Sequence, residues 1–189
     1  DIGNVKPEDR ILVSGAAGGV GSHVAAIAKA LGAGDVVGVA GGAEKCRRLR
    51  SEMAYDHVID YKNEDVDRAL SMAFPEGIDL YFDNVGGPLL DNVLGRLRRR
   101  ARIVICGAIS EYLVDTADKH HFVNLQNLGR QDAKMEGFFV FDYEEQYPEC
   151  IETLAGWIRA GKLNPIEHIS HGIETMPDAL ADFYLGNNV

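Results

Sequence analysis

The sequence predicts a doubly wound α/β fold, in which helices cover both faces of a parallel sheet. Short apolar runs rich in β-branched residues alternate with runs of helical spacing, and this alternation is regular from residue 10 to residue 107. Strands that alternate with helices are joined by right-handed crossovers, which place the strands parallel in one sheet. A chain of 189 residues is long enough for one such core and a small appendage.

The first unit is a strand, a tight turn and a helix. The strand is "RILVSG" at residues 10–15, because an apolar run that ends in glycine is typical of a strand buried on both faces. Apolar residues at helical spacing indicate the helix, and Gly32 ends it. These apolar residues are Val20, Val24, Ile27, Ala28 and Leu31.

The same patterns place the remaining elements. Further strands are expected at residues 35–41, 57–61, from 78, at 101–107, at 134–141 and at 166–173. Helices are expected at residues 44–53, 65–73, 89–97, 147–161 and 176–186. The basic run "RLRRRAR" at residues 96–102 is interpreted as a helix end, where cations favour the negative end of the dipole. Residues 108–132 indicate a polar excursion, in which His120 and His121 are expected to be solvated.

Composition excludes several functional classes. The net charge of −10 argues against a nucleic-acid surface, because few cations are available to neutralise phosphates. No apolar run approaches about 18 residues, the usual length of a membrane span, and no basic and apolar leader is present. The three cysteines lack CxxC or Cys/His spacing, so neither a disulfide framework nor a structural metal site is predicted. A soluble, cytoplasmic domain that binds no nucleic acid and no membrane is expected.

Glycine and alanine fill the turn between the first strand and the first helix. The pattern Ala16-x-Gly18-x-x-Gly21 places alanine where the commonest dinucleotide fingerprint has its first glycine. Bare backbone there allows N–H groups to approach a pyrophosphate, and the helix presents its positive end to it. A merely glycine-rich tight turn is the alternative. The position in the first βαβ unit favours dinucleotide binding.

The end of the second strand indicates which dinucleotide binds. An NAD-binding domain usually carries Asp or Glu about 20 residues after the fingerprint, but Gly41 and Gly42 stand there. The cations that follow suit a 2′-phosphate. Lys45 is the strongest candidate, Arg47 and Arg48 are weaker ones, and Tyr61 is placed to donate a hydrogen bond. Two alternatives stay open: the cations form a solvated helix face, or Glu44 turns inward and selects NAD.

With these motifs the chain resembles the medium-chain dehydrogenase/reductase superfamily, in particular its zinc-independent, NADPH-dependent alkenal and prostaglandin reductases. This branch includes enzymes similar to leukotriene B4 dehydrogenase and curcumin reductase. The resemblance rests on motifs spread along almost the whole chain. They are "VSGAAGGVGS", "AGGAEKCRRL", "DHVIDYKNED", "IDLYFDNVGG", "RIVICGAISEY", "KMEGFFV" and "LGNNV". The resemblance implies a Rossmann domain that binds NADP(H), excised from a two-domain enzyme with a GroES-like domain.

The resemblance also implies roles for individual residues. The pyrophosphate would be held by Gly18, Gly19, Val20 and Gly21, and the adenosine phosphate by Lys45 and Tyr61. Asn84 would lie beside the cofactor. Residues implied for the nicotinamide half are Cys106, Gly107, Ala108, Ile109 and Ser110, with Phe138, Phe139 and Val140 continuing that wall and Asn188 contacting the cofactor near the C-terminus. Cys106 is interpreted as a small buried side chain rather than a nucleophile, because no histidine is placed to activate it. No metal ligand is implied.

The reaction implied is hydride transfer from NADPH to the β-carbon of an α,β-unsaturated aldehyde or ketone, followed by protonation of the enolate at the α-carbon. Tyr112 is the candidate hydrogen-bond donor to the developing oxyanion, with a surface tyrosine as the alternative. Arg130 stands where some relatives place a tyrosine, which leaves the proton donor open. Two other functions stay open: quinone reduction by a zinc-independent relative, and a non-catalytic NADPH-binding or sensor module.

The resemblance divides the chain into a cofactor domain at residues 1–163 and a tail at residues 164–189. The tail would pack on the missing domain, so that Ile169, Ile173 and Phe183 would be uncovered here. The fragment alone is expected to be inactive or weakly active. A homodimer is expected through the edge strand near residues 138–141, because relatives join two sheets there.

Overall fold

The architecture is a six-stranded, all-parallel sheet in the order β3-β2-β1-β4-β5-β6. The structure is a computed structural model and describes residues 2–167 and 169–185. Strand β1 lies at the centre, so that Ile11 is the neighbour of Val36 on one side and of Leu80 on the other. This is the strand order of a doubly wound Rossmann fold, and it confirms the predicted fold class.

The elements follow the predicted alternation, with ends that differ by a few residues. The strands are β1 (Ile11–Val13), β2 (Val36–Ala40), β3 (His57–Asp60), β4 (Ile78–Asp83), β5 (Leu97–Ile105) and β6 (Lys134–Gly137). The helices are α1 (Gly21–Ala30), α2 (Ala43–Glu52), α3 (Val66–Ala73), α4 (Gly87–Leu94), α5 (Asn127–Arg130), α6 (Tyr147–Arg159) and α7 (Met176–Leu185).

The core has two layers, one on each face of the sheet. Helices α1 and α2 pack on one face through side chains such as Ala25 and Leu49, both fully buried. Helices α3 and α4 pack on the other face through side chains such as Leu70 and Val93. Every residue of β1 and β2 is buried, as expected of central parallel strands covered on both sides.

The basic run was predicted wrongly, because most of it belongs to β5 and not to a helix end. Leu97, Ala101 and Ile103 are buried, so the strand follows the apolar pattern. A bulge separates the pairing of Ile78 with Leu97 from the pairing of Leu80 with Arg102. The arginines within and around the bulge form salt bridges with acidic residues. Arg98 pairs with Glu76 and Asp79, Arg100 pairs with Asp132, and Arg102 pairs with Asp9.

Two predicted strands differ from the structure. The strand expected at residues 134–141 ends at Gly137, and a 3-10 segment (Val140–Gln146) follows. Strand β6 is nevertheless the sheet edge, as predicted. Residues 166, 167 and 169–173, which are the described part of the predicted tail strand, form no strand. In the tail, Ile169 and Ile173 are 67% and 80% exposed, whereas the side chain of Phe183 lies outside the described residues.

Over residues 2–167 and 169–185, no helix combines the length and the apolar character that crossing a membrane requires. The polar excursion predicted after β5 is present as residues 106–133. It contains two short 3-10 segments, Ile109–Glu111 and Thr116–Asp118, and ends in α5.

Candidate functional site

The candidate site lies at the carboxyl ends of β1, β2, β4 and β5. The strand order reverses between β1 and β4, since the chain builds β1, β2 and β3 outward before returning to the other side of β1. Open α/β sheets bind ligands in the crevice at this reversal. The structure brings the glycine turn, the residues after β2 and the turns after β4 and β5 to this one edge.

The glycine turn runs from the end of β1 into the first residue of α1. Gly21 opens the helix so close to the turn that a Cβ on it would lie 2.7 Å from the Cα of Ala16 and closer still to the carbonyl oxygen of Gly15. Gly19 and Val20 are exposed, with open space around Gly19. Val20 has no polar side chain to cap the helix, and the first turn contains no acidic residue. The amino end of α1 therefore presents its dipole to the crevice, while the amides of Ser22 and His23 already donate to the carbonyl oxygens of Gly18 and Val20.

The buried side chain of Tyr55 holds the glycine turn in place through a hydrogen bond. Its hydroxyl donates a 2.6 Å hydrogen bond to the carbonyl oxygen of Gly21, and the residue is only 4% exposed. Burial raises the pKa of Tyr55, so that its hydroxyl stays protonated and remains a donor. The sequence analysis missed this role, because no local pattern connects residue 55 to residue 21.

The turn after β2 forms the second part of the site. Asp60, at the end of β3, accepts a 2.8 Å hydrogen bond from the amide of Gly42. Hydrogen bonds from Gly42 and from the side chain of Asn63 lower the pKa of Asp60. The ring of Tyr61 lies over Gly41, because a Cβ on Gly41 would be 2.7 Å from two of its ring carbons. Any side chain at position 41 would displace the tyrosine.

The cations after β2 fall into two groups. Arg47 binds Glu44 at 2.5 Å and Arg48 binds Glu52 at 3.0 Å, so both are engaged on the surface of α2. Glu44 is held by Arg47, which lowers the pKa of that carboxyl. Lys45 forms the other group: it is partly buried, and this burial and then the nearby charge of Lys62 lower its pKa. Lys62 was missed by the sequence analysis, although it directly follows Tyr61.

A buried carboxylate organises the turn after β4. Asp83 has no exposed surface, and its Oδ1 accepts hydrogen bonds from the hydroxyls of Ser14 (2.8 Å) and Tyr81 (2.7 Å) and from the amides of Val85 (2.9 Å) and Gly86 (3.0 Å). All four groups donate to the same carboxyl oxygen, so one buried acceptor holds all of them in place. This network ties the end of β1 to the end of β4, and no sequence signal pointed to it.

Asn84 links the same two strands. Its side-chain amide donates a 2.6 Å hydrogen bond to the carbonyl oxygen of Ser14, and its backbone amide donates a 2.8 Å bond to the Ser14 hydroxyl. Asn84 therefore lies beside the glycine turn, and its contact with a cofactor stays a prediction.

The turn after β5 is fastened to the turn after β4. The hydroxyl of Ser110 donates a 2.7 Å hydrogen bond to the carbonyl oxygen of Val85. The amide of Ile109 donates a 3.2 Å hydrogen bond to the carbonyl oxygen of Asn84. Tyr112 is 61% exposed, and its hydroxyl accepts a 3.0 Å hydrogen bond from the amide of Ala108. The structure thus groups Cys106, Gly107, Ala108, Ile109, Ser110 and Tyr112 around one turn.

Cys106 is half-buried within that turn. Burial and then the charge of Asp83 raise the pKa of its thiol, so that the thiolate needed for nucleophilic attack is disfavoured. This agrees with its interpretation as a small side chain of the wall.

Aromatic residues follow the end of β6. Phe139 packs at a tilt on Phe141 with ring centroids 5.1 Å apart, and Phe138 meets Tyr143 edge to face at 6.3 Å. Phe139 and Val140 are exposed, whereas Phe138 packs partly against the α1 and α2 side of the core. The predicted cofactor contact Asn188 lies outside the described residues.

His120 was predicted wrongly as a solvated residue. Its Nε2 lies 3.0 Å from Oδ2 of Asp91, a residue on α4 that is only 4% exposed. The imidazole also meets the ring of Phe122 edge to face at 5.2 Å. His121, in contrast, is exposed as expected.

A parallel sheet of this strand order, with a glycine turn at its reversal, defines the Rossmann-like class of dinucleotide-binding folds. The chain belongs to the zinc-binding dehydrogenase family, whose model matches residues 19–156. This confirms the resemblance to the medium-chain dehydrogenase/reductase superfamily.

Named relatives cover the whole chain. This chain is 41% identical to a 2-alkenal reductase (NADP(+)-dependent) of Nicotiana tabacum. It is 34% identical to an NADPH-dependent curcumin reductase of Escherichia coli (strain K12). It covers 54% and 55% of these two proteins, so the chain spans about half the length of the curated relatives it matches. The crystal structure of CurA from Vibrio vulnificus in complex with NADPH superposes on the whole chain with a TM-score of 0.92 at 37% identity, and the chain covers 57% of it.

Proposed function

We propose that this chain is the NADPH-binding domain of an oxidoreductase that reduces the carbon–carbon double bond of α,β-unsaturated aldehydes and ketones. The observation that carries the proposal is the glycine turn at the sheet reversal, where Gly21 admits no Cβ and the amino end of α1 is open. The names of the relatives, an alkenal reductase and a curcumin reductase, support the substrate class.

The residues present fit the diphosphate of a dinucleotide. Gly19, Val20 and Gly21 would offer backbone N–H groups, and the open space around Gly19 leaves room for close approach. The amide of Gly18 instead closes the turn by donating to the carbonyl oxygen of Gly15 at 2.9 Å. Tyr55 and the Asp83 network would hold this turn in a fixed position, because each of them joins the turn to a buried side chain through a hydrogen bond. Such preorganisation reduces the entropy lost on binding.

The proposed site of the 2′-phosphate lies beside Gly41. Lys45, Tyr61 and Lys62 would bind it, since the effect of the Lys62 charge on the pKa of Lys45 indicates that the two ammonium groups lie close enough to act on one anion. Glu44 is held by Arg47, which supports NADPH over NADH, because a carboxylate turned toward the ribose would repel a phosphate. Arg47 and Arg48 are assigned no role, since both are engaged with acidic residues of α2.

The nicotinamide half is proposed to lie along the turns after β4 and β5, where Asn84 and residues 106–110 meet. The wall would continue through Phe138, Phe139 and Val140, and Asn188 would complete it. When bound, NADPH supplies the hydride. Tyr112 would donate its hydroxyl proton in a hydrogen bond to the oxyanion that develops on the substrate, while Ala108 orients that hydroxyl through its amide.

We further propose that this chemistry does not need zinc, although the family takes its name from the metal. Within residues 2–167 and 169–185, no group of three or more His, Cys, Asp or Glu residues is arranged to hold a metal ion. A Lewis acid is not required to polarise the substrate if Tyr112 stabilises the developing charge.

The domain division and the dimer also belong to the proposal. The boundary after Leu163 is proposed from the resemblance, and the exposed side chains of Ile169 and Ile173 would be covered by the other domain. Strand β6 is an open edge whose far side would pair with a second copy. The whole protein would work in a reducing cytoplasm, where its thiols stay reduced.

The test has two parts. Titration of the chain with NADPH and NADH, followed by intrinsic fluorescence, is expected to give a dissociation constant at least about tenfold lower for NADPH. Oxidation of NADPH by the whole protein is then followed with an enone and with a quinone. Enone turnover supports the proposal, preferred quinone turnover indicates the relative class, and binding without turnover of either indicates a sensor module. Equal affinity for NADH would contradict the coenzyme assignment.

A further inference from the structure

The carboxylate of Asp91 collects three contacts from the excursion after β5. Asp91 lies on α4 and is 4% exposed. Its Oδ1 accepts hydrogen bonds from the amides of Val123 (3.2 Å) and Asn124 (2.9 Å), and its Oδ2 lies 3.0 Å from Nε2 of His120. We call these four residues the clasp.

The contacts of Asp91 favour its ionised form. Burial opposes ionisation, but hydrogen bonds from His120 and from the two amides outweigh it and lower the pKa of the carboxyl. The side chain of Asn124 adds a second tie, since its amide donates to the carbonyl oxygen of Asp91 at 3.1 Å. Hydrogen bonds to a buried charged group are among the stronger ones in proteins.

The clasp holds one end of a short arm, residues 112–119, which is fixed at its other end beside the site. There Tyr112 contacts the amide of Ala108, and Ser110 contacts Val85. Between the two ends the arm is solvated, and Leu113 is 82% exposed. An exposed segment tied at its ends moves when one tie is lost, because few buried contacts hold its middle.

We propose that the clasp fixes the position of the arm, and that His120 is a positioning residue for the substrate side of the site. This inference rests on the proposed function, because it takes Tyr112 as the group that faces the substrate. Loss of the imidazole would remove the tie nearest the arm and leave Oδ2 of a buried carboxylate with only the 3.2 Å hydrogen bond from the amide of Val123, which Oδ2 shares with Oδ1. The arm, and with it the direction of Tyr112, would then become mobile while the glycine turn stays intact.

The experiment compares three variants of the whole protein. His120→Ala removes the contact, and His120→Gln restores a donor, since its amide nitrogen can reach the place of Nε2. His121→Ala is the matched control, because His121 is the exposed neighbour in the same segment. Hydrogen exchange across residues 113–124 reports the clasp directly, while the NADPH dissociation constant and the kcat and KM for an enone report the site.

For His120→Ala we expect exchange across residues 113–124 to be at least about fivefold faster and enone kcat/KM to be at least about fivefold lower, with an unchanged NADPH dissociation constant. His120→Gln should recover most of both, and His121→Ala should match the wild type. A hydrogen-exchange rate in His120→Ala equal to that of the wild type would contradict the proposed role of the clasp. Equal effects of His120→Ala and His121→Ala would contradict it as well. If the wild type binds no NADPH, the proposed function fails, while the exchange comparison still decides the clasp.

Discussion

The hydroxyl of Tyr55 and the carbonyl oxygen of Gly21 are joined by a 2.6 Å hydrogen bond across 34 residues of sequence. This bond connects the segment between α2 and β3 to the first residue of α1. It places a buried donor directly below the turn proposed to bind the diphosphate.

Tyr55→Phe should therefore lower both stability and coenzyme affinity. The ring and its packing are kept, but a buried carbonyl loses one partner, which costs about 1–2 kcal/mol. Urea unfolding measures the stability, and fluorescence titration measures the NADPH dissociation constant. Tyr147→Phe is the matched control, because that hydroxyl donates to the carbonyl oxygen of Val140 at 3.0 Å in an exposed position. Equal losses in the two variants would contradict a special role for Tyr55.

Alanine at two glycines should separate folding from binding. Gly21→Ala places a Cβ against the backbone of Ala16 and Gly15, so we expect the turn to rearrange and stability to fall by about 2 kcal/mol or more. Gly19→Ala meets open space and should change stability by less than about 0.5 kcal/mol. It should nevertheless raise the NADPH dissociation constant, because the methyl group would stand where a phosphate approaches. If Gly19→Ala binds NADPH as the wild type does, the cofactor does not contact this turn as proposed.

Lys62→Ala should weaken NADPH binding about tenfold and leave NADH binding almost unchanged, because only NADPH carries the 2′-phosphate. Arg48→Ala is the control, since its guanidinium is paired with Glu52 on the same helix. Isothermal titration with both coenzymes gives the ratio. A parallel loss for NADH would show that Lys62 acts on the fold and not on the phosphate.

Tyr112→Phe should reduce enone turnover by about tenfold or more and change NADPH affinity less than twofold. The hydroxyl is proposed to act on charge that develops only in the reaction, so its loss should lower kcat. Steady-state kinetics of the whole protein measure the effect. Unchanged kcat would remove Tyr112 from the mechanism.

The stabilising effect of Asp91 should depend on pH. The clasp lowers its pKa below the value of about 3.9 found for an unfolded aspartate, so the stabilisation is fully present above that pH. It is lost as the pH falls through the lower pKa of the folded state. Wild type should therefore melt at a higher temperature than Asp91→Asn at pH 7, and the difference should shrink below about pH 4. A difference that is constant with pH would contradict an ionised Asp91.

The sequence predicted what depends on local pattern. Apolar periodicity was enough for the doubly wound α/β class and for the parallel sheet. The run at residues 96–102 was misread because its arginines pair with Glu76, Asp79 and Asp132, which lie far away in the chain. His120 and Tyr55 were missed for the same reason, since their partners Asp91 and Gly21 become neighbours only in the folded chain.

The carboxylate of Asp83 draws its donors from segments about 70 residues apart, because Ser14 ends β1 while Tyr81, Val85 and Gly86 surround the end of β4. If only the fingerprint loop is transplanted into another scaffold, Ser14 is separated from Asp83, and the bond between this hydroxyl and the carboxylate is lost. Cofactor engineering in this domain should therefore move positions 14, 81 and 83 as a single exchangeable unit.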